Sequence, residues 1–272
     1  MKIIEKQNAE LWSQEPGMEG MYKHIERAAR VCYQSQDSIK ADSAGRMVNA
    51  LIRNGHTAML EHGTVYLTFR RDEMLPPNQL VLDPHTMCTE DDDNLYITTN
   101  YRVLVEKGLT ELLKYDVTEP SPMHKRRSTL YLTTNLQVAT EYIRHRLMSF
   151  AMESTRYCSY DKEKFGNELT FILPLWLREA DNTIDNKLLA IEWTNAMQDA
   201  ENHYMRLKDK GWTAQQCAQV LPKATKTSLV MTGFDDDWDK FFDLRYFEKT
   251  GAAHPQAKEL ATMIYELLKG GK

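Results

Sequence analysis

Arg144-His145-Arg146-Leu147-Met148-Ser149-Phe150-Ala151-Met152-Glu153-Ser154-Thr155-Arg156-Tyr157 gathers three arginines, a histidine, a hydroxyl pair and one carboxylate within fourteen residues. Arginine presents a planar fork of donors, stays charged at any working pH and pairs bidentately with phosphate. Ser154 and Thr155 add short hydroxyls suited to closing around phosphate oxygens. Met148, Phe150 and Met152 are apolar, so the polar groups are not a plain solvated stripe. Spacing alone leaves two readings open, an anion site or a surface turn with a few salt bridges.

Working outward, Leu136, Ala139 and Tyr142/Ile143 recur at helical spacing over residues 135–143 and predict a helix that delivers Arg144, His145 and Arg146 at its C-terminal end. Thr129 to Leu132 before it reads as a short strand. Further upstream, Met18, Met21, Ile25, Ala28, Ala29 and Cys32 predict a helix over 18–34. A second helix fits 43–54, with Ser43 as N-cap and Gly55 as stop. The alternating run Thr64 to Phe69 is a strand. Downstream, a helix over 185–210 carries Leu189, Trp193, Met197, Ala200, Tyr204 and Leu207 on one face and ends at Gly211. Thr213 caps a helix running to Leu221, Ser228 to Thr232 is a strand, and 236–248 and 256–268 are helices.

Residues 70–128 have a different texture: Arg70-Arg71-Asp72-Glu73, Pro76-Pro77, the acidic run Glu90 to Asp93, and Pro120 and Pro122. A strand within Leu95 to Leu104 and a helix over 106–114 are expected there. The apolar content is thin for an independent core, so the segment reads as an insertion or lid inside one catalytic domain spanning 1–272. Helices and strands mix without regular βαβ alternation. The fold class expected is α+β, a single mixed α/β domain with an inserted segment.

Composition narrows the chemistry. The 42% hydrophobic and 27% charged residues fit an ordinary globular protein, and the net charge of −5 argues against a nucleic-acid polymer as partner. No apolar run approaches the ~18 residues needed to cross a bilayer, and the start MKIIEKQNAELW lacks a secretory pattern. No membrane partner and a cytoplasmic location are therefore expected. Cys32, Cys88, Cys158 and Cys217 form no C-x-x-C pair, so free thiols and no metal site are expected. Glycine is scarce at 12 of 272 residues, and neither G-x-G-x-x-G nor G-x-x-x-x-G-K-[ST] occurs, so side chains are expected to bind any phosphate. G-x-S-x-G and H-E-x-x-H are absent too.

Arg-His-Arg followed by seven residues and Ser154, continuing through Glu153-Ser154-Thr155-Arg156-Tyr157-Cys158, resembles the signature of flavin-dependent thymidylate synthases. Gly55-His56-Thr57-Ala58-Met59-Leu60-Glu61-His62 is similar to that family's upstream block. Val220-Leu221-Pro222, Phe241-Phe242-Asp243-Leu244-Arg245 and His254-Pro255-Gln256 are similar to its downstream blocks. The resemblance covers roughly residues 20–69 and 128–268 and leaves the insertion unexplained.

The resemblance implies conversion of dUMP to dTMP, with the one-carbon unit from methylenetetrahydrofolate and reduction through FAD recharged by NADPH. It implies no cysteine nucleophile, and sites shared between subunits of a homotetramer. It places His56, Glu61, Arg144, His145, Arg146 and Glu153 at the flavin, and Glu141, Arg144, Glu153, Ser154, Thr155, Arg156 and Arg245 at the nucleotide. Arg245 would assist ionisation of the pyrimidine N3, and Ser154 would lie near the phosphate or the reacting face. His62 and His254 stand evenly between site and scaffold.

Four positions depart from the family's pattern. Ala218 stands where an arginine meets the nucleotide phosphate, Phe234 and Asp236 stand in place of an N-x-R pair, and Ala58 replaces a hydroxyl residue. Lys223, Lys226 or Arg126 and Arg127 would have to compensate, or the ligand differs. A related enzyme acting on another pyrimidine nucleotide such as dCMP, or a non-catalytic nucleotide-binding homologue, are the alternatives.

Overall fold

The computed structural model describes residues 1–181 and 183–270. In chain order, β1 (Lys2–Ile4) and β2 (Asn8–Trp12) precede α1 (Gly17–Tyr33) and α2 (Ser43–Arg53). Next come β3 (Thr64–Arg70), the one-turn α3 (Asn78–Val81), β4 (Met87–Glu90), β5 (Asn94–Asn100) and α4 (Tyr101–Glu106). β6 (Arg127–Asn135), α5 (Leu136–Tyr142), β7 (Ser149–Met152), β8 (Thr170–Ile172) and α6 (Leu175–Arg178) follow. The chain continues with α7 (Ile184–Asp209), α8 (Ala214–Cys217), β9 (Lys226–Phe234), α9 (Asp235–Arg245) and α10 (Pro255–Lys269).

The central sheet is antiparallel in the order β2-β6-β9-β7. Because successive strand residues face opposite sides, Leu130, Leu132, Leu229 and Met231 point one way. They bury against Val138 and Tyr142 of α5, Trp238 and Phe241 of α9 and Leu260 of α10. Val230 and Ala151, with Trp12, point the other way and pack on Ala28 and Val31 of α1. The mixed α/β class is thus built as helix, sheet and helix layers.

A second antiparallel sheet, β3-β5-β4, draws its first strand from before residue 70 and the other two from after it. Leu80, Ile97, Leu104 and Leu112 share a core with Met21, Ile25, Val48, Leu51, Leu67 and Phe69. Segment 70–128 therefore shares the apolar interior of α1 and α2. The parallel pair β1-β8 closes the remaining flank. No helix among the described residues is long and apolar enough to cross a membrane.

Several local expectations differ from the structure: the strand within 95–104 ends at Asn100, helix follows at Tyr101–Glu106, only a 3-10 turn covers Thr110–Tyr115, and α8 stops at Cys217. Ser43 does not cap α2; it is the first helical residue, and its hydroxyl donates to Glu26 at 2.8 Å instead. The N-terminal half of α7 is uncovered: Leu189 is 59% exposed, and Ile184, Leu188 and Ile191 are exposed with it, while burial begins at Met197. Ser149 to Met152 shows no strand pattern in the sequence, because four residues are too few for alternation to register and only pairing with β9 makes them a strand.

Candidate active site

Helix α5 begins at Asn135, whose side chain accepts from Val138 N at 2.9 Å, and its last turn is anchored by Tyr142. The Tyr142 hydroxyl donates to the Ala257 carbonyl at 2.6 Å, and its ring meets Phe241 edge to face at 4.8 Å. The arginine turn leaves from this rigid point. Its backbone folds back through His145 N to Tyr142 O at 3.1 Å and Met148 N to His145 O at 3.0 Å. Arg144 and Arg146 are exposed, and neither forms an ion pair among the described residues.

His145 turns inward against Phe241 and accepts from Arg245 Nε at 3.3 Å through its Nε2. Burial and the Arg245 charge push its pKa down to about 4, so the ring is neutral near pH 7, with its proton on Nδ1. Arg245, the last residue of α9, also donates from Nη1 to the Glu141 carboxylate and from Nη2 to the Glu141 carbonyl, each at 2.8 Å. Glu141, His145 and Arg245 thus form one constellation drawn from two helices and a turn. The contact joins residues about a hundred positions apart, so no local pattern shows it.

The other polar half of the motif lies across β7. Glu153 is buried at 3% exposure, with its N–H donating to Ser228 O at 2.8 Å. Its carboxylate accepts from Lys226 Nζ at 2.8 Å and from the Tyr160 hydroxyl at 3.0 Å. Ser154 N donates to the Cys32 carbonyl at 2.9 Å, and Thr155 is half-buried beside it. Arg156 is exposed, with its Nε on Gln215 at 3.2 Å and its guanidinium over Tyr157. The four residues of β7 hold this group roughly 13 Å from the arginine turn, at ~3.3 Å per residue. Within one chain the two sets stand at opposite ends of the strand.

Glu61 pairs with Arg102, and its carbonyl accepts from Arg127 Nη2 at 3.0 Å. His56 is exposed at the start of the 3-10 turn Thr57–His62. His62 is wholly buried and hydrogen-bonded through Nδ1 to Thr232 at 2.8 Å; Thr232 joins Thr129 at 2.8 Å, which joins His24 Nε2 at 3.0 Å. This chain of groups stitches α1 and the 3-10 turn to the sheet, a scaffold role. His254 is the N-cap residue of α10, edge-on to Trp176. Cys158 is buried and pushed up to about 12, which leaves an inert thiol beside the motif.

The departures have local explanations. Phe234 is buried ahead of α9, and Asp235, Asp236 and Asp237 form that helix's first turn, where carboxylates favour the dipole. Register pairs Phe234 with Arg127, whose guanidinium lies 5.4 Å from the Phe234 ring. Lys226 is committed to Glu153 and Ser228, while Lys223 is exposed. Ala218 opens a 3-10 turn after α8, and Ala58 is exposed. Tyr160 carries no motif signal of its own, and only the fold brings its hydroxyl to Glu153.

Fold and site together define a mixed α/β protein with basic and carboxylate groups gathered at both ends of one edge strand. The chain belongs to the family described as thymidylate synthase complementing protein (Thy1), whose model matches residues 77–270. It is 27% identical over 167 residues to a flavin-dependent thymidylate synthase of Pyrococcus furiosus, covering 61% of this chain and 63% of that one. It is 29% identical over 191 residues to a flavin-dependent thymidylate synthase of Corynebacterium efficiens, covering 66% and 70%. The chain therefore spans somewhat less than two thirds of the length of the Pyrococcus relative. A crystal structure of the UMP/dUMP methylase PolB from Streptomyces cacaoi, bound with 5-Br dUMP, overlaps 98% of this chain and 92% of its own with a TM-score of 0.49 and 16% identity.

Proposed function

We propose that this protein is a flavin-dependent thymidylate synthase, which moves a one-carbon unit from methylenetetrahydrofolate to C5 of dUMP and reduces it to the methyl of dTMP. The observation that carries the reading is the Glu141–His145–Arg245 constellation beside the unpaired guanidinium groups of Arg144 and Arg146. An anionic dinucleotide fits that donor set: two solvated arginines suit its phosphates, and a neutral imidazole adds a donor without a competing charge. FAD, recharged by NADPH, supplies the two electrons of the reduction when bound, and Arg144, His145 and Arg146, with His56 and Glu61, would hold it.

The chain's own groups have defined tasks in this reading. Arg245 uses three of its five N–H donors on Glu141 and His145, so its head is fixed while two donors remain for a ligand. A fixed cation against the pyrimidine favours the ring deprotonated at N3. Glu141 orients Arg245, and His145 holds its proton at Nδ1. Ser154, Thr155 and Arg156 bind the nucleotide, and the Lys226–Glu153 pair keeps the Ser154 backbone in place. One chain holds these two sets apart, so a neighbouring subunit completes each site; the exposed apolar face of Ile184, Leu188, Leu189 and Ile191 supports a homotetramer.

Tritium release from [5-³H]dUMP, run beside [5-³H]dCMP on protein checked for flavin absorbance, tests the reading. Yellow protein that releases tritium from dUMP is expected. Release from dCMP alone would move the substrate to that nucleotide, which the missing arginine at Ala218 makes the second choice. Colourless protein with no release from either would leave only a nucleotide-binding homologue.

A further inference from the structure

Away from the arginine turn, a cleft of about 340 Å³ opens between the loop joining β2 to α1, residues 116–120 and the start of β6. Arg127 lines it, and its charge lacks a counter-ion. Its Nη1 donates to Thr64 Oγ1 at 3.1 Å and its Nη2 to the Glu61 carbonyl at 3.0 Å, both neutral acceptors. Its Nε is sealed from solvent with no hydrogen-bond partner, and no carboxylate lies within ion-pair distance among the described residues. Two of five donors are used, leaving three. Burial is strong enough to pull even this guanidinium down to about 10. The Phe234 ring offers only a partial substitute for an anion.

A desolvated cation is ordinarily matched by a negative group, because water no longer solvates its charge. Glu61 and Asp237 act on Arg127 only from beyond ion-pair distance, and they pair with Arg102 and Lys240. Lys23 holds Glu15 at 3.2 Å, Tyr66 N donates to Asp116 at 3.3 Å, and Glu119 is exposed. His24 on the floor is neutral, its Nε2 bonded to Thr129. Arg126 adds a second, exposed cation to the same wall.

We propose that this cleft is an oxyanion-binding site, taking a phosphate or carboxylate group of a small ligand on the remaining Nη N–H groups of Arg127, with Arg126 at its mouth. The site takes no ligand-binding side chain from the flavin or nucleotide sets of the thymidylate synthase reading, and touches them only where Arg127 meets the Glu61 carbonyl. Ligands that also carry hydrogen-bond donors are preferred, because Asp116 and Glu119 face the same space.

The full chain, labelled with ¹⁵N-arginine, tests this by titration with inorganic phosphate and, in a parallel arm, acetate, at ionic strength held constant with chloride. The Arg127 Nε–H resonance, assigned by its loss in Arg127→Lys, is expected to shift saturably with at least one of the two anions; which one identifies the group. Arg127→Gln should weaken that binding tenfold or more, while Arg53→Gln, on the remote end of α2, should leave it unchanged. A resonance that moves with neither anion overturns the proposal, as does equal affinity in Arg127→Gln. Should Arg127→Gln not fold, the wild-type resonance decides alone.

Discussion

Arg245 is the residue on which the proposed chemistry turns, because its position is set by three hydrogen bonds within the protein before any ligand arrives. Arg245→Ala is expected to lower kcat/KM for dUMP by at least 100-fold, about 3 kcal/mol of transition-state stabilisation. Glu141→Gln should lose less, since the carbonyl contact survives; steady-state kinetics with dUMP as the varied substrate compare the two. Glu153 makes a different prediction. Glu153→Gln leaves Lys226 half-buried without its partner charge and should cost about 3 kcal/mol in urea denaturation. The double change Glu153→Gln with Lys226→Met should recover part of that loss, and a double variant weaker than the single one would contradict the buried-pair account. The motif residues themselves were legible in the chain because they are contiguous. Lys226, Tyr160 and Arg127 were not legible as partners, because each reaches its contact through strand register or a later loop.

Among the elements, α1 and the 3-10 turn Thr57–His62 approach so closely that Gly63 has no room for a side chain. A Cβ there would lie 2.6 Å from Ile25 Cδ1 and 2.8 Å from Met21 Cγ. Gly63→Ala should destabilise by roughly 1–3 kcal/mol through overpacking, read as a lower midpoint in urea with an unchanged slope. On α7 the uncovered apolar half yields a prediction about association. Leu188→Glu with Leu189→Glu should shift the protein to a smaller species in light scattering and reduce turnover in parallel, whereas an unchanged mass would remove this face from the subunit contact. The long helices were visible from their 3.6-residue period, as for α1 and α7. Short strands such as β2 and β7 carry too few residues for a pattern and exist only through their neighbours.

Taken whole, the molecule buries several neutral histidines, and this fixes its response to acid. His24 and His145 are pushed down to about 4 and His62 to about 3, in each case mainly by burial. Above the ordinary value near 6.5 both folded and unfolded chains hold these rings neutral, so they add no pH dependence. Below it the unfolded chain takes up protons that the folded chain refuses, and stability falls as pH drops towards 4. His24 alone should cost on the order of 3 kcal/mol by pH 4. Thermal melts from pH 8 to 4.5 should show a falling midpoint beginning below about pH 6.5; a flat profile would mean that these rings are solvated or paired with acids.

By itself, the sequence determined the mixed α/β class, the long helices, the family signature in Arg144 to Tyr157 and the residues that deserve mutation first. These are properties of local period and contiguous motif, which a chain carries without folding. Only the tertiary structure decided that Glu141, His145 and Arg245 meet, that Glu153 is held by Lys226, and that residues 78–116 share a core with α1 and α2. It also decided that β7 sets the two halves of the signature apart and that Arg127 stands half-buried, its Nε sealed and no counter-ion within ion-pair distance. The physical reason is common to all of these. Each depends on which strand pairs with which, and in what register, and that choice is made by burying apolar faces on both sides of the sheet, not by any short stretch of residues.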